Sequence, residues 1–464
     1  MTPPYLDELV RNQISREVLS DGSSHPIIPI QQGQFNRDVL EEFQTLKLRQ
    51  TVAYVMEKSS FYRNLFSKYD VDPSSLRTLA DLRHLPFTEP ADIIKDPYRF
   101  VCVPMGGIAR IVSLSTSGTA GERKRIFFTN GDLRRIIELL AVNTKIVLGN
   151  KSGVIQIMLP GETIMGQADA LARGVEETGA TPVVIGNTPD FEKQIRAIKN
   201  QGSTVLVGYS FYLHRLTKLA RERFNIREMG VESIVTTGES LPRAVKQILE
   251  EAWGANVFCH YGLTEMGFNA GMGCLSGRGY HIYEGDCLVE VVDPQTGQPV
   301  ADGREGELVI TSLGREGMPL IRYRTGDLTT MQTNSCECGS ILKKIDMITR
   351  RKDMSIALGT SEVHPFSFDE TLFSLPDVLD YRLAINQEQE QTILSFFIEI
   401  VKGNKNNKNS LRRIQKAIEG DPLLSNNSLG GRIRLTMHEA STLRIPKPNG
   451  VKRPCLFANP STSP

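Results

Sequence analysis

Short apolar runs alternate with longer stretches of helical periodicity through the middle of this 464-residue chain. Each run ends at Gly, Pro or a small polar residue, and roughly 15–30 residues of helical pattern separate one run from the next. The runs are IVSLSTSG, GVIQIML, TPVVIG, STVLVG and ESIVTTG. Strands and helices that alternate in this way form βαβ units. The pattern therefore predicts an α/β fold with parallel or mixed sheets flanked by helices, rather than an all-β fold.

The pattern changes towards the C-terminus, which indicates further parts of the fold. Around Leu288–Ile310, the segments LVEVVD, PQTGQP and GELVITSL predict a β-hairpin and a β-rich subdomain. Farther on, ILSFFIEIV and the helical LRRIQKAIEG flank the polar run GNKNNKNS, which predicts a small α+β domain. We expect a loose arm over 1–34, a large domain over 35–350, a small domain over 351–455 and a flexible tail over 456–464.

Composition narrows the classes of function. Lys and Arg number 54 against 53 Asp and Glu, a net charge of +1, which gives no reason to expect nucleic acid or an anionic membrane as a partner. No apolar run approaches the roughly 20 residues that span a bilayer, and the start MTPPYLDELVRNQ lacks the regions of a secretion signal. Seven cysteines do not suggest a disulfide framework in so long a chain. We therefore expect a reducing, cytoplasmic setting.

A segment rich in hydroxyl side chains and glycine follows the strand-like RIVSL. Phosphate oxygens bind main-chain N–H groups, hydroxyls and cations where the chain turns tightly around them. The segment supplies these groups, although the glycine spacing of a Walker A loop is absent. A Ser- and Thr-rich hairpin turn is the alternative interpretation. The candidate phosphate-binding residues are Ser115, Thr116, Ser117, Gly118, Thr119, Gly121 and Lys124.

The whole segment, STSGTAGERK, resembles the T-S-G-T-T-G-x-P-K loop of the acyl-adenylate-forming superfamily, with Ala120 and Arg123 as departures. Further segments resemble motifs of the same superfamily. They are Gly238-Glu239-Ser240, Tyr261-Gly262-Leu263-Thr264-Glu265 and Arg322-Tyr323-Arg324-Thr325-Gly326-Asp327-Leu328. The resemblance implies a large N-terminal domain that binds ATP and a small, mobile C-terminal domain.

The resemblance also implies what the tyrosine motif does. Tyr261, followed by Gly262, would stack on adenine, a task that suits an aromatic face. Thr264 would contact the α-phosphate, and Glu265 would hold Mg²⁺, a hard cation that prefers carboxylate oxygens. Taken alone, this segment is also typical of a turn at a strand end.

Two shorter matches complete the nucleotide site that the resemblance implies. Gly238, Glu239 and Ser240 would form a loop against adenine. Asp327 would accept both ribose hydroxyls, which suits a group with two acceptor oxygens. A Gly-Asp turn at a strand end is the alternative for the second match.

The segment from Thr349 to Met354 resembles the G-R-x-K-D-x hinge of the superfamily, with Thr349 in place of Gly. The resemblance implies that Arg350 contacts the ribose and that Lys352 is the pivot. Two half-reactions need different groups over one site, so a swing of the small domain has a physical use. A solvated basic linker is the alternative.

A catalytic lysine is expected near the C-terminus. The stretch LRIPKPNGVKR resembles the superfamily's P-R-x-x-x-G-K, but Val451 displaces the lysine by one position. Lys452 is the candidate, with Lys447 as the alternative. A fixed cation there would stabilise charge that develops on the acyl carboxylate and α-phosphate.

Two pairs of soft ligands, Cys274-x₆-His281 and Cys336-x-Cys338, form a candidate metal site. Three thiolates and a neutral imidazole suit tetrahedral Zn²⁺, although the spacing is not that of a common zinc finger. Two turns with free thiols are the alternative. The same pattern is similar to that of the phenylacetate–coenzyme A ligase branch, which implies a structural zinc.

The resemblance to this branch covers about residues 36–455. It implies an AMP-forming ligase that adenylates a carboxylic acid, aryl or arylacetic in kind, and passes the acyl group to coenzyme A. The implied cofactors are ATP, Mg²⁺, coenzyme A and structural zinc, and a homodimer is consistent with the branch. Alternatives are a different acceptor, such as a carrier-protein thiol or another coenzyme, and a nucleotide binder that has lost catalysis. The run Tyr209-Ser210-Phe211-Tyr212 and His260 are candidates for the acyl pocket or for plain core.

Overall fold

The computed structural model describes residues 5–20, 35–115, 123–161, 163–348, 350–352, 356–358, 361–364, 366–388, 391–401, 407–425, 433–439 and 456–457. The α-helices of these residues are α1 Tyr5–Ser20, α2 Arg37–Lys58, α3 Ser60–Lys68, α4 Pro90–Lys95, α5 Asn130–Leu148, α6 Gln167–Glu176, α7 Phe191–Gln201, α8 Ser210–Ala220, α9 Arg243–Trp253, α10 Asp369–Phe373, α11 Asn407–Glu419 and α12 Pro422–Ser425.

The strands, numbered in chain order, are β1 Arg110–Ser115, β2 Arg123–Phe128, β3 Val154–Met158, β4 Thr181–Val184, β5 Val205–Tyr209, β6 Ser233–Thr237, β7 Asn256–Tyr261, β8 Gly271–Met272, β9 Tyr280–Ile282, β10 Cys287–Val292, β11 Glu305–Ser312, β12 Tyr323–Thr330, β13 Lys344–Ile345, β14 Arg350–Arg351, β15 Ile356–Leu358, β16 Ser361–Val363, β17 Val378–Glu388, β18 Gln391–Ile400, β19 Ile433–Glu439 and β20 Leu456–Phe457.

The chain divides into two compact units. The first unit contains Met1–Gly153, Pro160–Val184 and Phe258–Met347, and the second contains Val154–Leu159, Ile185–Val257 and Ile348–Pro464. The second unit thus includes central strands as well as the C-terminal part of the chain. A separate domain over 351–455 with a boundary near 350 stays a prediction.

Parallel strands joined by helices form the centre of the second unit. Strands β3 and β5 pair in parallel, as do β5 and β6, and α8 follows β5 along the chain before β6. All five residues of β5 are buried, as the apolar run STVLVG predicts. Helix α7 begins at the Asp190 cap and ends at Gly202, whose φ of 62° lies in the left-handed region that glycine tolerates. The α/β class predicted from the sequence is confirmed.

Antiparallel strands dominate the described part of the first unit. Strands β10, β11 and β12 form one sheet, and the β10–β11 pair is the hairpin predicted around Leu288–Ile310. A second antiparallel run joins β7, β8, β9 and β13 in that order. Because Leu308, Val309 and Ile310 of β11 are all fully buried, β11 packs on both faces.

The beginning of the chain differs from the loose arm that the sequence predicts. Residues 5–20 form α1, and Leu6, Val10 and Ile14 are buried at a spacing of four residues. Gln13 donates to the Gly285 main-chain oxygen at 2.9 Å. The segment YLDELVRNQI therefore contains an apolar stripe with helical spacing. The turn-rich residues that follow it favour the prediction of a loose arm.

The C-terminal part of the second unit has the α+β character expected of it. Strands β17 and β18 are antiparallel, and β19 and β20 join their outer edges in parallel. Leu456–Phe457, placed by the sequence in a flexible tail, form β20 against β17. Among the residues that the structure describes, every helix is too short or too polar to cross a bilayer.

Candidate functional site

The antiparallel hairpin β1–β2 flanks the predicted phosphate loop. Ser115 ends β1 and pairs in register with Arg123, which begins β2. The predicted loop residues Thr116, Ser117, Gly118, Thr119 and Gly121 lie outside the described residues. Lys124 is the second residue of β2, and its side chain is only 11% exposed.

Lys124 meets two residues from distant parts of the first unit. Its Nζ lies 2.6 Å from Glu265 Oε1 and donates to the Tyr323 hydroxyl at 2.7 Å. The Tyr323 hydroxyl donates to the same Glu265 oxygen at 2.8 Å. Thr264 and Glu265 belong to a short 3₁₀ helix that follows β7. The sequence named Lys124 and Glu265 separately, and the structure brings them into one buried ion pair.

This pairing controls the charge of Glu265. Burial would by itself raise the pKa of the Glu265 carboxyl, but the Lys124 cation and the hydrogen bonds outweigh it, so the pKa is lowered. Glu265 is therefore a carboxylate at neutral pH. Ionised carboxylate oxygens are also the ligands that hard cations such as Mg²⁺ prefer.

The predicted adenine and ribose residues also lie together. Tyr261 ends β7, Asp327 lies on β12, and the Tyr261 hydroxyl donates to Asp327 Oδ2 at 2.6 Å. Both side chains are buried. A short hydrogen bond to a carboxylate is of the stronger class, so the Asp327 side chain is held in one orientation.

Gly238, Glu239 and Ser240 belong to the second unit and follow β6. Gly238 has a φ of 75°, which glycine alone adopts readily. Glu239 Oε2 accepts from the Phe211 N–H at 3.4 Å, at the start of α8. The loop is thus bound to α8.

The aromatic candidates for the acyl pocket have contacts typical of core residues. Phe211 stacks on Phe373 with ring centroids 4.9 Å apart. The Tyr212 hydroxyl donates to the Thr188 main-chain oxygen at 2.7 Å. In the first unit, His260 Nε2 lies 3.0 Å from Asn269 Oδ1, and burial lowers the pKa of His260 to about 4. These contacts favour the interpretation as core.

The structure describes only part of the predicted hinge and does not describe the predicted catalytic lysine. Arg350 lies in the two-residue strand β14, and Lys352 follows it with an exposed side chain. Thr349 and Lys452 lie outside the described residues. Their roles stay predictions.

The four candidate zinc ligands converge. Their ligand atoms all lie within 4.8 Å of one another. Cys274 Sγ and Cys336 Sγ are 3.5 Å apart, and Cys338 Sγ lies 3.3 Å from His281 Nε2. Tetrahedral Zn²⁺ with Zn–S bonds of about 2.3 Å places two sulfur ligands about 3.8 Å apart, so the set fits that ion.

Neighbouring groups orient the imidazole and add positive charge beside the thiols. His281 Nδ1 lies 3.3 Å from the Leu342 main-chain oxygen, which directs Nε2 towards the sulfurs. Burial, together with Lys344, lowers the pKa of His281 to about 4, so the ring is neutral. Lys344 Nζ lies 3.6 Å from Cys274 Sγ and 3.5 Å from Cys336 Sγ.

Two residues of the site received no role from the sequence. Tyr323 was quoted within a motif but assigned no task, and it completes the contact with Lys124 and Glu265. Arg315 donates through Nη1 to the Glu265 main-chain oxygen. Nothing in the GREG segment around Arg315 indicates this contact, because it depends on a residue about fifty positions away.

Comparison with known proteins identifies the family of the chain. Residues 111–314 match the family described as AMP-binding enzyme. The chain is 32% identical over 360 residues to the phenylacetate-coenzyme A ligase of Thermus thermophilus, covering 76% of this chain and 79% of that ligase. It is 30% identical over 372 residues to the phenylacetate-coenzyme A ligase of Escherichia coli, covering 78% and 83%.

Solved structures share the fold at lower identity. The crystal structure of 2-hydroxyisobutyryl-CoA ligase in the postadenylation state matches with a TM-score of 0.74 and 21% identity, over 87% of this chain and 86% of that one. A benzoate CoA ligase from Burkholderia xenovorans matches with a TM-score of 0.51 and 16% identity, over 68% and 63%.

Proposed function

The chain belongs to the phenylacetate–coenzyme A ligase family of AMP-binding enzymes, and from that premise we propose how this AMP-forming ligase works and which acids it takes. In the first step, a carboxylate oxygen of the acid attacks the α-phosphorus of ATP. Acyl-AMP forms and pyrophosphate leaves. In the second step, the coenzyme A sulfur attacks the acyl carbon, its proton is lost and AMP leaves.

The buried contact of Lys124, Glu265 and Tyr323 is the observation that carries this proposal. It lies beside β1 and β2, the strands on either side of the phosphate loop, and holds a cation and a carboxylate in the same place. ATP phosphates would attract Lys124 away from Glu265. Glu265 would then hold Mg²⁺, which supplies neutralising charge to the phosphates. Thr264, the neighbouring residue, would contact the α-phosphate.

The contact between Tyr261, at the end of β7, and Asp327, on β12, supports a nucleotide site at this place. The aromatic face of Tyr261 would stack on adenine while its hydroxyl orients the Asp327 carboxylate for the ribose hydroxyls. Gly238, Glu239 and Ser240 would complete the adenine loop, and Arg350 would contact the ribose. Lys452 would supply the second cation at the α-phosphate, with Lys352 as the pivot of the small domain.

The acid is an aryl or arylacetic acid in this proposal, because the relatives at 30% identity or more are phenylacetate-coenzyme A ligases. The 2-hydroxyisobutyryl and benzoate ligases are named for other acids and share the fold alone. A different acceptor and a lapsed nucleotide binder are both less favoured, since every one of these relatives is named as a ligase of coenzyme A.

We further propose that Cys274, His281, Cys336 and Cys338 hold a structural zinc ion. Four protein ligands leave no open position for chemistry at the metal. The ion would join the β9 region to the 336–339 turn. We also propose a cytoplasmic location. We propose in addition that the chain forms a homodimer, which light scattering of the purified chain tests.

The test of the main proposal is ATP–pyrophosphate exchange against a panel of aryl, arylacetic and short aliphatic acids. We expect exchange with phenylacetate or benzoate and AMP release only when coenzyme A is added. Exchange with aliphatic acids alone would overturn the acid class. AMP release that needs another thiol would overturn the acceptor. The control is Asp302→Asn in an exposed turn, which should exchange at the wild-type rate.

A further inference from the structure

Arg322 lies directly before Tyr323, and its main chain adopts a conformation that residues other than glycine rarely take. Its φ is 46°, in the left-handed region. Asp70, Met165 and Phe268 also have a positive φ, and of these non-glycine residues in the described chain only Arg322 is buried. Such a conformation is unfavourable for a bulky residue, and it persists where the surrounding contacts fix it, commonly at functional sites.

Contacts on both sides hold the main chain at this position. The Arg322 N–H donates to Thr311 Oγ1 at 2.9 Å, and the Arg322 carbonyl oxygen accepts from the Thr88 N–H at 3.1 Å. The Arg324 N–H donates to the Thr88 carbonyl oxygen at 3.0 Å. Thr88 and Thr311 are themselves buried. The main chain on both sides of Tyr323 is therefore fixed where β12 begins.

The Arg322 side chain has its own set of partners. Nε and Nη2 donate to the two carboxylate oxygens of Glu290, each at 2.9 Å. Nη1 donates to the main-chain oxygens of Arg83 and Leu85, at 3.0 and 2.7 Å. The guanidinium carbon lies 4.0 Å from the centroid of the Phe87 ring. Because the guanidinium is planar and pairs with both carboxylate oxygens, it holds this buried segment in one arrangement.

Tyr323 connects this segment to the nucleotide site. Its hydroxyl accepts from Lys124 at 2.7 Å and donates to Glu265 Oε1 at 2.8 Å. In the proposed function, Lys124 moves to the ATP phosphates and Glu265 holds Mg²⁺. The Tyr323 hydroxyl would then still donate to the Glu265 carboxylate and keep its orientation. A hydrogen bond to a metal-binding carboxylate typically strengthens metal binding by about 10–100-fold.

We propose that Tyr323 and Arg322 are positioning residues for the metal ion at Glu265. Tyr323 holds the Glu265 carboxylate in the orientation that binds Mg²⁺, and Arg322 holds Tyr323 in place. These roles rest on the proposed binding of Mg²⁺ by Glu265. The contacts of Arg322 described above involve no residue assigned to ATP, so Arg322 acts through Tyr323.

Calorimetric titration of the purified full chain with ATP, without an acid substrate, tests these roles. The affinity for ATP is measured with saturating Mg²⁺ and again with EDTA, and the ratio of the two affinities is the gain due to the metal ion. We expect Tyr323→Phe to reduce this gain at least about tenfold and to leave the affinity in EDTA nearly unchanged. An equal loss of affinity with and without Mg²⁺ would mean that Tyr323 serves only the fold, and the proposal would be wrong.

Arg322→Lys keeps the charge but cannot form the two parallel hydrogen bonds to Glu290. The gain due to Mg²⁺ should therefore again fall about tenfold. The double variant with Tyr323→Phe should show the same fall of about tenfold, because Tyr323→Phe already removes the hydroxyl that Arg322 positions. A fall of about a hundredfold, the product of the two single effects, would mean that Arg322 acts independently of Tyr323 and would overturn its role.

Two further variants complete the test. Glu290→Gln weakens the same pairing from the carboxylate side, and it takes the place of Arg322→Lys if that variant does not fold. Arg304→Gln, at an exposed arginine just before β11, is the control and should keep the full gain due to Mg²⁺.

The wild type separates this proposal from the ligase proposal. If Mg²⁺ does not strengthen ATP binding by the wild type, Glu265 holds no metal ion there and the positioning roles are overturned. If the gain falls in the variants as expected while the wild type exchanges pyrophosphate with no acid, the positioning roles hold and the ligase proposal fails.

Discussion

The first unit contains two clusters of chemically active side chains that are held together differently. Lys124, Glu265 and Tyr323 combine opposite charges, so each member is stabilised by the others before any ligand arrives. The thiol cluster of Cys274, Cys336 and Cys338 with His281 instead places three sulfur atoms and one imidazole nitrogen within 4.8 Å of one another. Thiolates so close repel one another unless a cation lies among them.

This difference predicts different behaviour for the two clusters. The charged cluster forms without a bound ligand, whereas the thiol cluster depends on a bound cation. In our proposal, Mg²⁺ would replace Lys124 at Glu265 when the ATP phosphates bind. The thiol cluster lacks such internal compensation apart from Lys344. We therefore expect damage to the first cluster to reduce the rate and damage to the second to reduce stability.

The largest expected effect is the loss of zinc. Cys338→Ser should reduce zinc from one ion per chain to almost none and lower the free energy of unfolding by about 4 kcal/mol, the value for a ligand at about 1000 times its dissociation constant. Plasma mass spectrometry and urea unfolding measure the two quantities. Cys102→Ala, which changes a cysteine outside the cluster, should keep its zinc. Unchanged zinc content in Cys338→Ser would remove the contrast between the clusters.

The next effect concerns a cation from outside the described residues. Lys452→Ala should slow ATP–pyrophosphate exchange by about 10²–10³-fold, because a fixed charge at the α-phosphate stabilises the transition state. Lys447→Ala is the matched control and should stay near the wild-type rate. Full acyl-adenylate formation by Lys452→Ala would contradict the catalytic role of Lys452 and would leave Lys124 as the cation at the phosphates.

Glu265→Gln tests the charged cluster itself. The amide keeps the size of the side chain but loses the charge that Mg²⁺ needs, so exchange should fall about 10²-fold. Zinc content should stay at one ion per chain. Glu251→Gln, an exposed residue of α9, is the control. A variant that loses zinc as well would mean that the two clusters are one structural unit.

The smallest effect is expected for Tyr261→Phe. The ring still stacks on adenine, but Asp327 loses the hydrogen bond that orients it. The KM for ATP should rise about tenfold, the size expected for one hydrogen bond to a charged group, with kcat nearly unchanged. Tyr69→Phe, at an exposed tyrosine, should match the wild type. A fall in kcat instead would place the hydroxyl in the chemical step.

Sequence patterns predicted the parts of the molecule that depend on neighbours along the chain. The apolar run STVLVG became β5, and the segments around PQTGQP became the β10–β11 hairpin. The four candidate zinc ligands were named from their residue types and from the resemblance, and the structure places their ligand atoms within 4.8 Å of one another. Residues 5–20 were misjudged because their helical stripe is short and a turn-rich stretch follows.

Contacts between distant residues could not be predicted in the same way. Tyr323 and Arg315 carry no local signal, and their partners lie 58 and 50 positions away in the chain. The same holds for the Tyr261–Asp327 hydrogen bond, which needs β7 and β12 to approach. Motifs named the residue types but not the hydrogen bonds among them.

The sequence by itself determined the α/β class, the strand and hairpin signals, the family and the residue types of both clusters, because periodicity and motif spacing are properties of adjacent positions. Only the tertiary structure decided that Lys124 is held by Glu265 and Tyr323, that α1 packs within the first unit, and that Arg315 donates to the Glu265 main-chain oxygen. The physical reason is burial. Whether a charge is desolvated or paired depends on which distant segments exclude water from it.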